Sequence, residues 1–190
     1  EELQQYFTDL FDTRQQEIEV CWDSEKGKNQ SRQRGRAFIN YFLKEFAGRI
    51  QPFLIEKELE VEVADLGIKL KGIPDLVEKD FSITDFKTTT ARWPKNRINQ
   101  ALLQMVIYKY LFESQYGKVN NQLKFRIIYS RTHTNIKHQE LVVDSRDIDF
   151  KKMFDIIEYI IDQISSQRFY RNESFHCRFC EYRDLCLPRT

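Results

Sequence analysis

Turn formers are scarce in this chain, with only six glycines and four prolines in 190 residues. So few breaks argue against a many-stranded sandwich and favour long helices joined by compact hairpins. No apolar run approaches the ~20 residues that a bilayer-spanning helix needs. No stretch reads as a signal peptide, so an intracellular protein without membrane partners is expected. Net charge is only +1, which leaves no strong global attraction to polyanions. Histidine is rare as well, and none of the three precedes His133.

What is present is an ordinary globular balance, 41% hydrophobic and 31% charged, with 15 Phe and 9 Tyr. The length suits one domain with a real core. Local charge says more than the total. From Lys26 to Arg36, five basic residues (Lys26, Lys28, Arg32, Arg34, Arg36) occur with no acid among them. That run reads either as a solvated loop or as a phosphate-contacting arm.

Apolar spacing predicts a first helix over 3–22, a polar loop over 23–34 and a second helix over 36–46. Ile55, Leu59, Val61 and Val63 interleave with Glu56, Glu58, Glu60 and Glu62, the pattern of a strand with one buried face. A second strand is expected over 67–77 and a third over 81–87, joined by a hairpin at Glu78-Lys79-Asp80. The spacing then predicts a helix over 97–116, strands over 123–129 and 137–143, and a long helix over 145–166. The order ααβββαββα is that of an α/β domain with a central mixed sheet flanked by helices.

Two constellations carry chemistry. In the first, Asp85-Phe86-Lys87 lies on the third strand, where a period of two puts Asp85 and Lys87 on one face, about 7 Å apart, and Phe86 on the other. Asp75 follows Gly72-Ile73-Pro74 at the end of the preceding strand, because proline cannot donate to a ladder. If the two strands pair, two carboxylates and one ammonium converge. Hard cations such as Mg²⁺ bind through one or two carboxylates and keep positions for water and phosphate oxygens. Alone, an Asp-x-Lys pair is common on solvated strands.

The second constellation is cysteine. Cys177, Cys180 and Cys186 fall within ten residues, and Cys21 stands near the other end. Three clustered thiols and a remote fourth suit a four-coordinate metal or an iron–sulfur cluster. The C-x2-C spacing followed by C-x5-C favours such a centre over disulfides.

Taken in order, G-I-P-D-L-V at 72–77, I-T-D-F-K-T at 83–88 and Q-M-V-I-Y at 104–108 resemble the motifs of RecB-like nucleases in the PD-(D/E)xK superfamily. The resemblance implies a restriction-endonuclease-like core. It also implies that Asp75 and Asp85 bind Mg²⁺ or Mn²⁺ with the carbonyl of Phe86, and that Lys87 serves the attacking water. Gln104 and Tyr108, four apart on one helix face, would position the DNA backbone or the lysine. Glu56, with Glu58 as runner-up, best matches the family's additional acid. The family's G-x-x-x-H is not matched, since Ile39 stands four residues after Gly35. Gln104 is expected on an apolar face, where a buried amide needs partners.

The four cysteines resemble the iron–sulfur staple of the branch that includes CRISPR-associated adaptation nucleases, the AddB nuclease domain and exonuclease V. This implies a structural 4Fe–4S cluster held by Cys21, Cys177, Cys180 and Cys186 and joining the N- and C-termini, with zinc as the chemical alternative. Arg92, Trp93, Lys95 and Arg97 would either line a strand-tracking groove or form a helix-start loop anchored by the Trp. The expectation is a single nuclease domain over 1–190: N-terminal helices in 1–50, a catalytic core in 51–130, a strand and long helix in 131–174, and a cysteine tail in 175–190. Its substrate would be DNA, single-stranded or at ends, cleaved as an exonuclease. The competing reading is a DNA-end-binding module with protein partners in a recombination, repair or CRISPR adaptation complex.

Overall fold

The computed structural model describes residues 2–17, 22, 24–94, 96–117, 122–145, 148–168 and 173–186. Two compact units are distinguished, residues 1–148 and 149–190. The first begins with helix α1 (Glu2–Glu17) and helix α2 (Glu25–Phe42), the latter continuing into a wider turn at Leu43–Ala47. Strands β1 (Pro52–Ile55), β2 (Leu59–Val63), β3 (Ile68–Gly72), β4 (Leu76–Glu78) and β5 (Ile83–Thr89) follow. Helix α3 (Arg97–Tyr116) then leads to the antiparallel pair β6 (Gln122–Tyr129) and β7 (Lys137–Asp144).

Five strands form a mixed sheet in the order β1-β4-β5-β6-β7, while β2 and β3 make a separate hairpin. Only β5 and β6 run parallel, and α3 is the crossover between them. The core lies between α3 and one sheet face, where Val77, Ile83, Met105, Leu111, Phe112, Leu123, Phe125 and Ile127 are all fully buried. Each such side chain contributes about 1.5–3 kcal/mol by leaving water. On the other face, Phe42 and Phe46 close edge-on against Phe86, at ring separations of 5.5 and 6.5 Å.

Several local expectations change. Residues 25–34 are helical, not a loop: Ser24 caps α2 by accepting the Gly27 N–H at 3.1 Å, and Arg32 pairs with Asp12 on α1. Interhelical packing and a good cap outweigh the polar composition there. Gly35 has a packing reason, since a Cβ at that position would lie 2.2 Å from the Phe7 ring. The expected strand through 55–63 is two strands in different sheets, broken at Glu56, which sits at φ 43°. The expected strand over 67–77 also divides, at Ile73-Pro74-Asp75, because Pro74 ends the ladder. Helix α3 spans the expected residues and stops at Gly117, whose φ is 87°.

In the second unit, helix α4 (Lys151–Ser165) buries Met153 and Ile157. A short turn at Phe175–Phe179 and helix α5 (Arg183–Cys186) follow. No helix among the described residues is long and apolar enough to cross a membrane.

Candidate active site

Where β4 begins, its ladder with β5 pairs Leu76 with Thr84 and Val77 with Ile83. One step further on, Asp75 stands opposite Asp85. Pro74 has no N–H with which to extend the ladder, and the Asp75 side chain takes over: its Oδ2 accepts the Phe86 N–H at 2.7 Å. The carboxylate is thereby fixed against β5 by a charge-assisted bond. Glu56 N–H donates to the Asp75 carbonyl at 3.2 Å, which secures the same residue from the β1 side.

Asp85 is 1% exposed, on the α3 face of β5 with Lys87 beside it. Lys87 Nζ lies 2.9 Å from each Asp85 oxygen, but only Oδ1 receives it at a hydrogen-bonding angle. Asp85 Oδ2 is buried and accepts no hydrogen bond. Burial pushes the Asp85 carboxyl above its ordinary pKa; Lys87 pulls it back and the nearby Asp75 carboxylate raises it. Lys87, about one-third exposed, pairs with Asp85, and Asp75 has no ion-pair partner among the described residues. Such a set is short of positive charge, and a buried carboxylate oxygen that accepts no hydrogen bond, next to a second acid, suits a hard divalent cation.

The other expected participants are placed as follows. Gln104 is exposed on α3, which corrects the expectation of a buried amide, and its Nε2 donates to Tyr108 Oη at 2.7 Å. Tyr108 packs against Gly72, where an added Cβ would meet its ring at 3.0 Å and Leu111 Cδ1 at 2.8 Å. Glycine thus lets α3 approach the end of β3, three residues before Asp75. Neither Gln104 nor Tyr108 hydrogen-bonds to Asp75, Asp85 or Lys87. The Glu56 side chain is exposed, and among the described residues no three His, Cys, Asp or Glu side chains converge on one point. Glu58 and Glu60 pair with Lys71 across the β2–β3 hairpin, at 3.4 and 2.5 Å. The glutamate face there is a surface ion-pair ladder.

Trp93 is an anchor: it is buried against Phe125 at 5.8 Å, its backbone N–H donates to Gln139 Oε1, and Arg97 stacks over its ring at 4.6 Å. Lys95 lies outside the described residues. So does Cys21. Cys177, Cys180 and Cys186 are not disulfide-bonded. Cys177 Sγ accepts the Ser174 N–H at 3.3 Å and so caps the Phe175–Phe179 turn, while the other two thiols are exposed.

One feature of the sheet escaped the sequence. Glu78, Lys124 and Arg126 form a buried ionic cluster, with Arg126 Nη2 at 3.0 Å and Lys124 Nζ at 3.4 Å from Glu78 Oε2. Both cations are more than 40 residues from Glu78 in the chain, and each strand alone reads as an ordinary charged alternation. Only strand pairing brings them together.

The fold has solved counterparts. A candidate exonuclease from Eubacterium rectale superposes with a TM-score of 0.59 at 16% identity, covering 99% of this chain and 72% of its own. A protein designated SSO0001 gives a TM-score of 0.47 at 19% identity, covering 81% of this chain and 68% of its own. No curated protein sequence matches the chain. The model of the PD-(D/E)XK nuclease superfamily matches residues 1–187. A mixed sheet that carries Asp75 opposite Asp85-Phe86-Lys87, matched over that length by the family model, makes this chain a member of the PD-(D/E)XK nuclease superfamily.

Proposed function

We propose that the chain is a metal-dependent DNA nuclease whose residues 1–190 work as one nuclease domain, acting as an exonuclease on single-stranded DNA ends. The observation that carries this reading is the buried Asp85 Oδ2 without a hydrogen bond, beside a second carboxylate and a single ammonium. Asp75 and Asp85 would hold Mg²⁺ or Mn²⁺, with the Phe86 carbonyl as a further ligand. Glu56 is the nearest candidate for a third carboxylate, once its exposed side chain turns inward. A bound divalent cation supplies charge neutralisation at the scissile phosphate and acidifies a water.

The protein's own groups do the rest. Lys87 is tethered to Asp85 yet partly open to solvent, so its ammonium can orient the attacking water and hydrogen-bond a non-bridging phosphate oxygen. Asp75 is pinned through Oδ2 by the Phe86 N–H, which leaves Oδ1 for the cation. Gln104 and Tyr108 already form a hydrogen-bonded pair and would act as one unit on the DNA backbone. The fold shared with a candidate exonuclease supports action from ends.

We further assign Cys21, Cys177, Cys180 and Cys186 as ligands of a structural 4Fe–4S cluster. Four soft thiolate donors are chemically suited to iron–sulfur or zinc. Absorbance near ~400 nm in anaerobically purified protein separates iron–sulfur from zinc.

The test of the nuclease reading is cleavage of end-labelled single- and double-stranded DNA with Mg²⁺, Mn²⁺ or chelator. Metal-dependent shortening of single strands from an end is expected. Binding without turnover in Mn²⁺ would favour an end-binding module in a larger complex instead.

A further inference from the structure

The basic run on α2 sorts into paired and unpaired cations. Lys28 pairs with Glu25 at 3.5 Å, and Arg32 pairs with Asp12. Arg34 has no ion-pair or hydrogen-bond partner among the described residues. It is half-buried and lines a cleft of about 470 Å³ between α2 and the β6–β7 loop. The loop contributes Arg131 and His133, which likewise have no partner among the described residues. Ser31, Thr132, Thr134 and two glutamines are also in the lining, and no carboxylate is among them. Two guanidinium groups and an imidazole facing one polar cleft without an acid form an electrostatically unbalanced site, the reverse of the carboxylate pair at Asp75 and Asp85.

The loop is shaped in advance. Ser130 Oγ accepts the Thr132 N–H at 3.1 Å, and Thr132 Oγ1 accepts from Thr134 and Asn135 at 3.4 and 3.5 Å. These local bonds hold the backbone without using the cationic side chains. The cleft also adjoins β5, because Ser130 N–H donates to the Thr89 carbonyl at 3.0 Å, two residues past Lys87. Arg131, the first lining residue of the loop, is four residues past Ile127, which pairs with Lys87, so at ~3.3 Å per residue the cleft begins roughly 13 Å from Lys87.

We infer that Arg34, Arg131 and His133 grip a backbone phosphate of the substrate strand away from the scissile bond, fixing that strand against the end of β5. The inference rests on the nuclease reading above and adds to it a second, non-catalytic contact. A phosphate held there balances one of the two guanidinium charges and accepts hydrogen bonds from both arginines, the imidazole and the hydroxyls. The cleft recognises backbone, not base, so the contact is independent of sequence.

The test compares wild type with Arg34→Gln/Arg131→Gln, which removes both charges from partly or fully exposed positions. Binding of a labelled single strand of about 20 nucleotides is followed by fluorescence anisotropy in chelator, across a salt series. Roughly tenfold weaker binding is expected. The slope of log K against log salt should shrink by about 0.7, the change expected when one phosphate is no longer neutralised. In Mn²⁺, KM for the long strand should rise with kcat little changed, and cleavage of a dinucleotide too short to reach the cleft should be unaffected. An unchanged slope and KM in a variant of a wild type that does cut DNA would overturn the inference and leave the nuclease reading intact. Variant-sensitive binding by a wild type that never cuts would do the opposite. Neither binding nor cutting by wild type would overturn both. Wild-type strand binding that ignores the variant, with inorganic phosphate protecting against heat only when both arginines are present, would assign the cleft to a free anion and overturn the proposal.

Discussion

Opposite faces of one sheet carry two buried charge clusters, and they are balanced in opposite ways. On the face away from α3, Glu78 accepts from Ser82, Thr84, Lys124 and Arg126, so its carboxylate is saturated. Burial pulls the Arg126 guanidinium down, but Glu140 and Glu78 more than offset this and hold it above its ordinary pKa. On the α3 face, Asp85 is buried more deeply, has Lys87 as its one ion-pair partner among the described residues, and keeps an oxygen that accepts no hydrogen bond. A cluster whose charges close among themselves serves the fold. One left short of a cation is built to receive something.

The difference can be broken from either side. Removing Lys87 should have the largest consequence: Lys87→Ala is expected to lower DNA cleavage by roughly 10²–10⁴-fold. Its circular dichroism should stay near wild type, while its melting midpoint falls because the buried Asp85 carboxylate loses its counter-ion. The complementary change, Glu78→Ala, should leave cleavage per folded molecule unchanged but strip two buried cations of their shared anion. About 3 kcal/mol of stability is expected to be lost, read from urea unfolding. Equal stability in that variant would mean that Glu140 and Asp80 carry the cluster alone.

Between these extremes lies Gly72, where the sheet end feeding Asp75 meets α3. Gly72→Ala must displace Leu111 or Tyr108 and is expected to destabilise by about 1–3 kcal/mol, with cleavage reduced as Asp75 shifts. The smallest effect has the opposite sign. Asp85→Asn in chelator should raise stability by about 1 kcal/mol, since it removes a buried charge that Lys87 only partly balances. Thermal melts would show this as a higher midpoint, together with loss of any stabilisation by Mn²⁺.

Much of the Asp75–Asp85 side of this contrast is legible in the sequence alone. Period-two spacing places Asp85 and Lys87 together, and Pro74 announces the ladder end that frees Asp75 to bind Phe86 N–H. Helix α3 is legible because twenty residues of apolar periodicity end at a glycine. Other features are not. The start of α2 is hidden because the helix is held by Ser24 and by Asp12 on another helix, neither of which shows in local hydropathy. The break at Glu56 is obscured because Ile55, Leu59, Val61 and Val63 keep one phase across two sheets, and Lys57 is the one interruption that marks it. Gln104 departs from expectation because an apolar neighbourhood in sequence does not say which helix face a polar side chain occupies. Glu78, Lys124 and Arg126 need register between strands, which no single segment encodes.

Whether the uncompensated Asp85 carboxylate receives a divalent cation is answered by Mn²⁺ binding, followed by electron paramagnetic resonance on wild type and Asp85→Asn without substrate. One saturable site in wild type, lost or greatly weakened in the variant and unchanged in Glu78→Gln, is the predicted result. Equal Mn²⁺ binding by wild type and Asp85→Asn would contradict it.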